Sequence, residues 1–99
     1  MSEKFGSIPP EEEMRRQVLR LETMAKNLVI LLEEGKSDLD NFDESVHVRR
    51  IVEYIQWWDN IYPKANDDQK VALKISRDTL SASDPYYISA LDIANGKNI

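Results

Sequence analysis

The chain has 99 residues, of which 41% are hydrophobic and 31% charged, and its 13 basic residues are outnumbered by 18 acidic ones. A chain of this length folds as one domain and buries only about 60–65% of the surface that its unfolded form exposes, so a deep active site is hard to build. The net charge of −5 argues against direct binding of duplex DNA through a basic face. The absence of cysteine excludes disulfides, a thiol nucleophile and Cys-ligated metals.

Several further classes of protein are disfavoured by missing motifs. The start MSEKFGSIPPEEE lacks the apolar stretch of a secretion signal, and the longest apolar run, LVILL at 28–32, is too short to span a bilayer. The three glycines are isolated, so there is no phosphate-binding loop. One histidine without cysteine offers little for nucleophilic catalysis. We expect a cytoplasmic protein without enzymatic activity, cofactor or membrane partner.

The first predicted helix covers residues 9–34 and follows a flexible N-terminus at 1–8. Pro10 suits the first helical position, and three glutamates at 11–13 suit the positive end of the helix dipole. Gly35 is predicted to end the helix. Apolar residues recur with the heptad spacing 4-3-4-3-4, which is typical of bundle packing. They are Met14, Val18, Leu21, Ala25, Leu28 and Leu32.

Three more helices are predicted after a polar turn. Asn41 and Glu44 have the spacing of a capping box, which predicts helix 2 over 42–62, ended by Pro63. Asn66 and Gln69 repeat this spacing before helix 3 at 67–80. Helix 4 is predicted over 85–95, with Ser83 or Asp84 as its cap. The chain is therefore predicted to be one all-α domain, 1–99, a small four-helix bundle with two longer heptad-patterned helices and two shorter C-terminal ones.

The second predicted helix has an unusually wide apolar face. One stripe contains Val48, Ile51, Ile55, Trp58 and Tyr62. A second stripe beside it contains Tyr54, Trp57 and Ile61, so the apolar arc exceeds the roughly 100° that one neighbouring helix covers. Either helix 2 is central and has neighbours on both sides, or the second stripe remains exposed and binds a protein partner or a second copy in a homodimer.

The outer side of helix 1 also carries two apolar residues. Leu19 and Ile30 lie three turns apart among polar residues that include Arg15, Glu22, Thr23 and Lys26. Single apolar residues on a surface are normal. The alternative is that the two residues form a second contact line for an oligomer.

Acidic residues supply the other candidate binding groups. We expect Asp59 and the aspartates at 38, 40 and 43 to surround the second stripe with negative charge. The segment SDLDNFDE is not a calcium loop, because Phe42, Asp43 and Arg49 occupy positions that an EF-hand reserves for a ligand, glycine and glutamate. Asp38, Asp40, Asp43 and Asp59 are therefore predicted partner-binding residues.

Glu44 and His47 form a Glu-x-x-His pattern, which occurs in dimeric metal-carboxylate bundles. The pattern has a second interpretation, because Glu44 also fits a capping box and His47 fits a packed histidine. Metal binding is therefore an alternative function, and no metal site is predicted as the leading one.

The segment NIYPKANDDQ, residues 60–69, resembles the tyrosine–proline–lysine turn of immunity proteins for nuclease colicins, which are small acidic four-helix proteins that bind a basic nuclease. The resemblance covers ten of the 99 residues, and the adjacent tyrosines stand elsewhere, at 86 and 87. It implies binding of a cationic protein surface. The leading hypothesis is a non-enzymatic inhibitor, adaptor or assembly factor that binds a protein partner with a basic surface. A DNA mimic or nucleic-acid-associated regulator is the other alternative.

Overall fold

The computed structural model of the protein describes residues 10–96. These residues form four helices, α1 (Pro10–Ser37), α2 (Glu44–Ile61), α3 (Asp67–Ser83) and α4 (Tyr87–Ala94), with single 3-10 turns at Leu39–Asn41 and Tyr62–Lys64. No strand occurs between residues 10 and 96. The all-helical prediction is therefore confirmed. The flexible segment predicted at 1–8, and residue 9 of the first predicted helix, lie outside the described residues.

The four helices pack as a compact, elongated globule of 54 × 26 × 26 Å. Helix α1 has 28 residues and is therefore about 42 Å long, which accounts for most of the long dimension. It packs along α3 and α2, whereas α4 packs mainly against α2. Within the described part of the chain, no helix combines the length and the apolar character needed to cross a membrane.

Helix α1 confirms the predicted seam but is longer than predicted. Five of the six seam positions, from Val18 to Leu32, are buried, and Met14 packs against the core at its edge. The prediction that Gly35 ends the helix is wrong, because α1 continues to Ser37. Gly35 is itself buried, and a Cβ atom built there would overlap the ring of Phe42. The glycine therefore allows close packing of the turn against α1.

We expect Gly35→Ala to lower the free energy of unfolding by about 1–3 kcal/mol, since the new methyl group displaces the Phe42 ring. This loss outweighs the gain of roughly 1 kcal/mol that alanine brings over glycine inside a helix. Urea denaturation measures the difference. The double variant Gly35→Ala/Phe42→Leu should recover part of it, and a more stable Gly35→Ala variant would contradict the contact.

Helix α2 begins later than predicted. The capping box expected from Asn41 and Glu44 is absent, because Asp43 is the N-cap and its carboxylate accepts a hydrogen bond from the Val46 backbone N–H. Asn41 instead lies in the 3-10 turn, where its amide donates to Asp38 at 2.6 Å. The 3-10 turn takes up residues 39–41, which shifts the start of the helix to Glu44.

Helix α4 also begins later than predicted, at Tyr87. Neither Ser83 nor Asp84 caps it, because its N-cap is Tyr86, and Asp84 instead lies at the C-terminal end of α3.

Helix α3 begins at the predicted residue, Asp67. At the start of α3, the side-chain oxygen of Asn66 accepts from the Gln69 backbone N–H at 2.8 Å, and the Gln69 side chain accepts from the Asn66 N–H at 3.0 Å. The predicted capping box is confirmed. Helix α3 has 17 residues and nearly equals the 18 of α2, so only α4, with eight residues, is a short helix.

Helix α2 has neighbours on both sides, which explains its wide apolar face. Tyr54 is fully buried and its hydroxyl lies 3.0 Å from the Ser76 hydroxyl of α3. Ile61 is also in the core, with 6% of its surface exposed. The alternative in which these two residues stay exposed is therefore wrong. They face other helices of the same chain and leave no continuous second stripe on the surface.

Candidate protein-interaction site

The net negative charge of the protein is concentrated in one segment. Residues 33–44, which we call the acidic turn, contain six carboxylates and one lysine, so the other 87 residues contain twelve acidic and twelve basic groups. All six carboxylates of the acidic turn are exposed. The net charge of −5 is therefore equal to that of one segment, which comprises the end of α1, the start of α2 and the connection between them. These residues are Glu33, Glu34, Asp38, Asp40, Asp43 and Glu44.

A groove of about 370 Å³ lies between the acidic turn and the first turns of α2, and we call it the turn groove. Its apolar lining comes from Leu31, Phe42 and Val46, and one wall is the buried His47. Its polar lining comes from the carboxylates of Glu34, Asp38 and Asp43, the amide of Asn41 and the guanidinium of Arg50.

One wall of the turn groove is held in place by a buried hydrogen bond between two side chains. His47 Nε2 lies 2.6 Å from Asp84 Oδ2, and the two side chains are 2% and 0% exposed. The other carboxylate oxygen of Asp84 accepts a hydrogen bond from the Tyr86 backbone N–H at 2.9 Å. Both oxygens are therefore satisfied, as a buried carboxylate requires. The contact joins the first turn of α2 to the segment between α3 and α4.

Aromatic rings support the same wall. The rings of Phe42, His47 and Tyr86 contact one another, with centroids 5.3–5.8 Å apart. The Tyr86 hydroxyl donates to the Glu44 carboxylate at 2.9 Å. This hydrogen bond raises the pKa of the Tyr86 phenol above its ordinary value, because the negative charge of Glu44 disfavours the phenolate.

The turn groove is suited to a side chain with an apolar stem and a cationic end. An arginine could place its methylene groups on the apolar lining and direct its donors to the carboxylates, which only accept hydrogen bonds. A guanidinium also stacks favourably on an aromatic ring such as Phe42. Arg50 partly opposes such a ligand, but three carboxylates in the lining outnumber it.

The Glu-x-x-His pattern does not form a metal site in the described chain. The imidazole of His47 faces Asp84, whereas the carboxylate of Glu44 faces Tyr86. Among residues 10–96, no group of three or more His, Cys, Asp or Glu side chains is placed to hold a metal ion. Each member of the pattern thus has its own structural partner.

The predicted acidic residues separate into two places. Asp38, Asp40 and Asp43 lie together in the acidic turn, and the first and last of them line the turn groove. Asp59 lies 16 residues after Asp43, about 24 Å away along α2, and accepts a hydrogen bond from Arg77 at 3.1 Å. The structure therefore does not place Asp59 with the other three.

The two adjacent tryptophans lie on different sides of α2. Trp57 is half-buried, with the Arg20 guanidinium of α1 lying 5.7 Å from its ring centroid. Trp58 donates its indole N–H to the Leu73 carbonyl of α3 at 3.0 Å and stacks on Tyr62. Each tryptophan therefore has a neighbour within the chain, on α1 and on α3 respectively.

Sequence reasoning missed the contributions of Glu34, Phe42 and His47 to the site. A count of charges in short windows would have found the acidic turn with its glutamates. Nothing in the local pattern identifies the contact of His47 with Asp84, because 37 residues separate them.

Comparison of the chain with protein-family models, with curated proteins and with solved structures finds no significant match. The structure establishes an all-helical fold with four α-helices between residues 10 and 96.

Proposed function

We propose that this protein is a non-enzymatic binding module that acts in the cytoplasm as an inhibitor, adaptor or assembly factor. It binds a protein partner with a basic surface through the acidic turn, on a four-helix bundle scaffold. The observation that carries the proposal is the concentration of the net negative charge in one segment, three of whose six carboxylates line a single groove.

The charge distribution supports binding in two steps. A compact cluster of exposed carboxylates on an otherwise neutral protein attracts a cationic surface and orients it toward the acidic turn before contact. The turn groove then accepts an arginine of the partner, which contacts the Phe42 ring and the carboxylates of Asp38 and Asp43. His47, which Asp84 holds by a buried contact, keeps this wall of the groove in place in the free protein.

The binding test uses a nine-residue arginine-rich peptide and a lysine-rich peptide of equal charge as probes. We expect the triple variant Asp38→Asn/Asp40→Asn/Asp43→Asn to bind the arginine peptide at least about tenfold more weakly at low salt. Asparagine is as good an N-cap as aspartate, so the third change keeps the start of α2 intact. Isothermal titration calorimetry measures the affinities.

The control triple variant Glu53→Gln/Asp78→Asn/Asp92→Asn removes the same charge from positions outside the acidic turn. It should bind the arginine peptide within about twofold of the native protein, since local charges act more strongly than distant ones. The native protein should also prefer the arginine peptide to the lysine peptide. Equal losses in the two triple variants would contradict the proposal.

A further inference from the structure

The outer side of α1 and α3 carries an apolar surface that is separate from the acidic turn. Six large aliphatic side chains are more than a third exposed in the described chain, and four of them stand on these two helices. They are Leu19 at 61%, Ile30 at 53%, Val71 at 58% and Ile75 at 61%. We call this surface the outer α1–α3 face.

A groove of about 320 Å³ runs between the two helices of this face. Half of its lining residues are apolar and half are polar. The apolar ones are Ala25 of α1 and Ala72, Ile75 and Leu80 of α3, and the polar ones are Glu22 and Lys26 of α1 and Ser76 and Thr79 of α3. Residues 22–26 lie beside residues 72–80, so Ile75 stands next to the middle of α1. The face thus contains both a groove and separate exposed aliphatic side chains.

We infer that a second copy of this chain covers the outer α1–α3 face in a two-fold dimer whose α1 helices are antiparallel. Leu19, Thr23, Lys26 and Ile30 follow one another at spacings of 4, 3 and 4, which is a heptad seam on the outer side of α1. Two-fold symmetry is the usual arrangement for two identical chains.

The seam is complementary to itself in one antiparallel register. If two α1 helices cross midway between residues 24 and 25, Leu19 of each copy faces Ile30 of the other, and Thr23 faces Lys26. Glu22 of each copy then lies near Lys26 of the other, so opposite charges meet across the two-fold axis. Ile75, next to this part of α1, contacts the opposite copy near the axis.

Charge also favours the antiparallel arrangement over a parallel one. Parallel α1 helices would bring two acidic turns, each with a net charge of −5, to the same end of the dimer. In the antiparallel register, the two turns lie roughly 35–40 Å apart, given a rise of 1.5 Å per residue. This separation is several times the Debye length of about 8 Å at physiological salt. Both turn grooves also remain open to partners.

The size of the face sets the expected strength of the dimer. Helix α3 is about 25 Å long, and two packed helices present a face roughly 20 Å wide, which gives on the order of 500 Å² per chain. The total of about 1,000 Å² is near the lower limit for a specific interface. We therefore expect a weak dimer, with a dissociation constant between roughly 1 and 100 μM.

Sedimentation velocity of the native protein from 2 to 200 μM tests the inference. We expect the mass to rise from the 11.5 kDa of the monomer toward twice that value. Leu19→Glu and Ile75→Glu should each weaken the dimer at least about thirtyfold, since a buried carboxylate would lack a partner. Ile88→Glu is the matched control, because Ile88 is 70% exposed but lies on α4. It should leave the dimer unchanged.

The absence of cysteine allows a direct test of the register by disulfide trapping. A mixture of Thr23→Cys and Lys26→Cys proteins should form the mixed disulfide under air oxidation. A mixture of Arg49→Cys and Glu53→Cys, exposed on α2, should not do so above the rate of free collision. A native protein that stays monomeric at 200 μM, or a dimer weakened by Ile88→Glu and not by Leu19→Glu, would overturn the inference. None of these outcomes depends on peptide binding at the acidic turn.

Discussion

Replacement of His47 by alanine is expected to lower the free energy of unfolding by about 3–5 kcal/mol, because it leaves the carboxylate of Asp84 buried without its partner. Asp84→Ala should cost a similar amount, since it removes the acceptor for both His47 and the Tyr86 backbone N–H. Urea denaturation followed by circular dichroism measures both values. The loss is large for a domain whose total stability is of the order of 5–15 kcal/mol.

A double-mutant cycle separates the contact from the packing of the two side chains. The variant His47→Ala/Asp84→Ala should be more stable than the sum of the single losses predicts, because neither group is then left unpaired. Asp78→Ala, at an exposed position on α3, is the control and should change stability by less than about 0.5 kcal/mol. Additive losses, or single losses below about 1 kcal/mol, would contradict a buried contact between His47 and Asp84.

Tyr54→Ala is expected to lower the free energy of unfolding by about 3–5 kcal/mol, as for other large aromatic residues removed from a core. Trp57→Ala should cost clearly less, because the Trp57 ring is only half-buried. Tyr54→Phe and Ser76→Ala should each cost about 1 kcal/mol, the usual value of one side-chain hydrogen bond. A larger loss for Trp57→Ala than for Tyr54→Ala would contradict the core described above.

Ionisation of the Tyr54 phenol should also make the free energy of unfolding depend on pH in alkaline solution. Burial raises the pKa of its phenol above the ordinary value of 10.0, although the hydrogen bond with Ser76 acts in the opposite direction. The unfolded chain therefore loses this proton at a lower pH than the folded protein does, and the free energy of unfolding should fall as the pH rises above 10. Tyr54→Phe should show a shallower fall in urea denaturation at pH 9–11. An unchanged slope would contradict a raised pKa for Tyr54.

The fold was predictable where local signals agree with one another. Successive residues of the α1 heptad seam, and the capping-box residues Asn66 and Gln69, are each about one helical turn apart, and both features are confirmed. Between the end of α1 and the start of α2, Phe42 packs against Gly35, which is a contact that no local spacing indicates. Asn41 and Asp43 are both favourable N-cap residues, so local preference alone does not decide which of them begins α2.

The candidate site was predictable only in part, because periodicity shows how wide an apolar face is and not what covers it. The sequence positions of Tyr54 and Ile61 are therefore compatible with a core and with an interface. The packing of α1 and α3 beside α2 decides for the core. The aspartates at 38, 40 and 43 were identified from composition, whereas Asp59 was grouped with them without knowledge of its distance. The contact between His47 and Asp84 depends on how α4 returns to α2, and no local pattern encodes it.

The most direct test of the proposed function is a nuclear magnetic resonance titration of the uniformly ¹⁵N-labelled protein with the arginine-rich peptide at physiological salt. We expect saturable shifts of amide signals from residues 33–50, centred on Phe42 and His47, and little change in the signals of α3. The triple variant Asp38→Asn/Asp40→Asn/Asp43→Asn should lose these shifts. Small linear shifts spread over every helix, and unchanged in that variant, would contradict a binding site at the acidic turn.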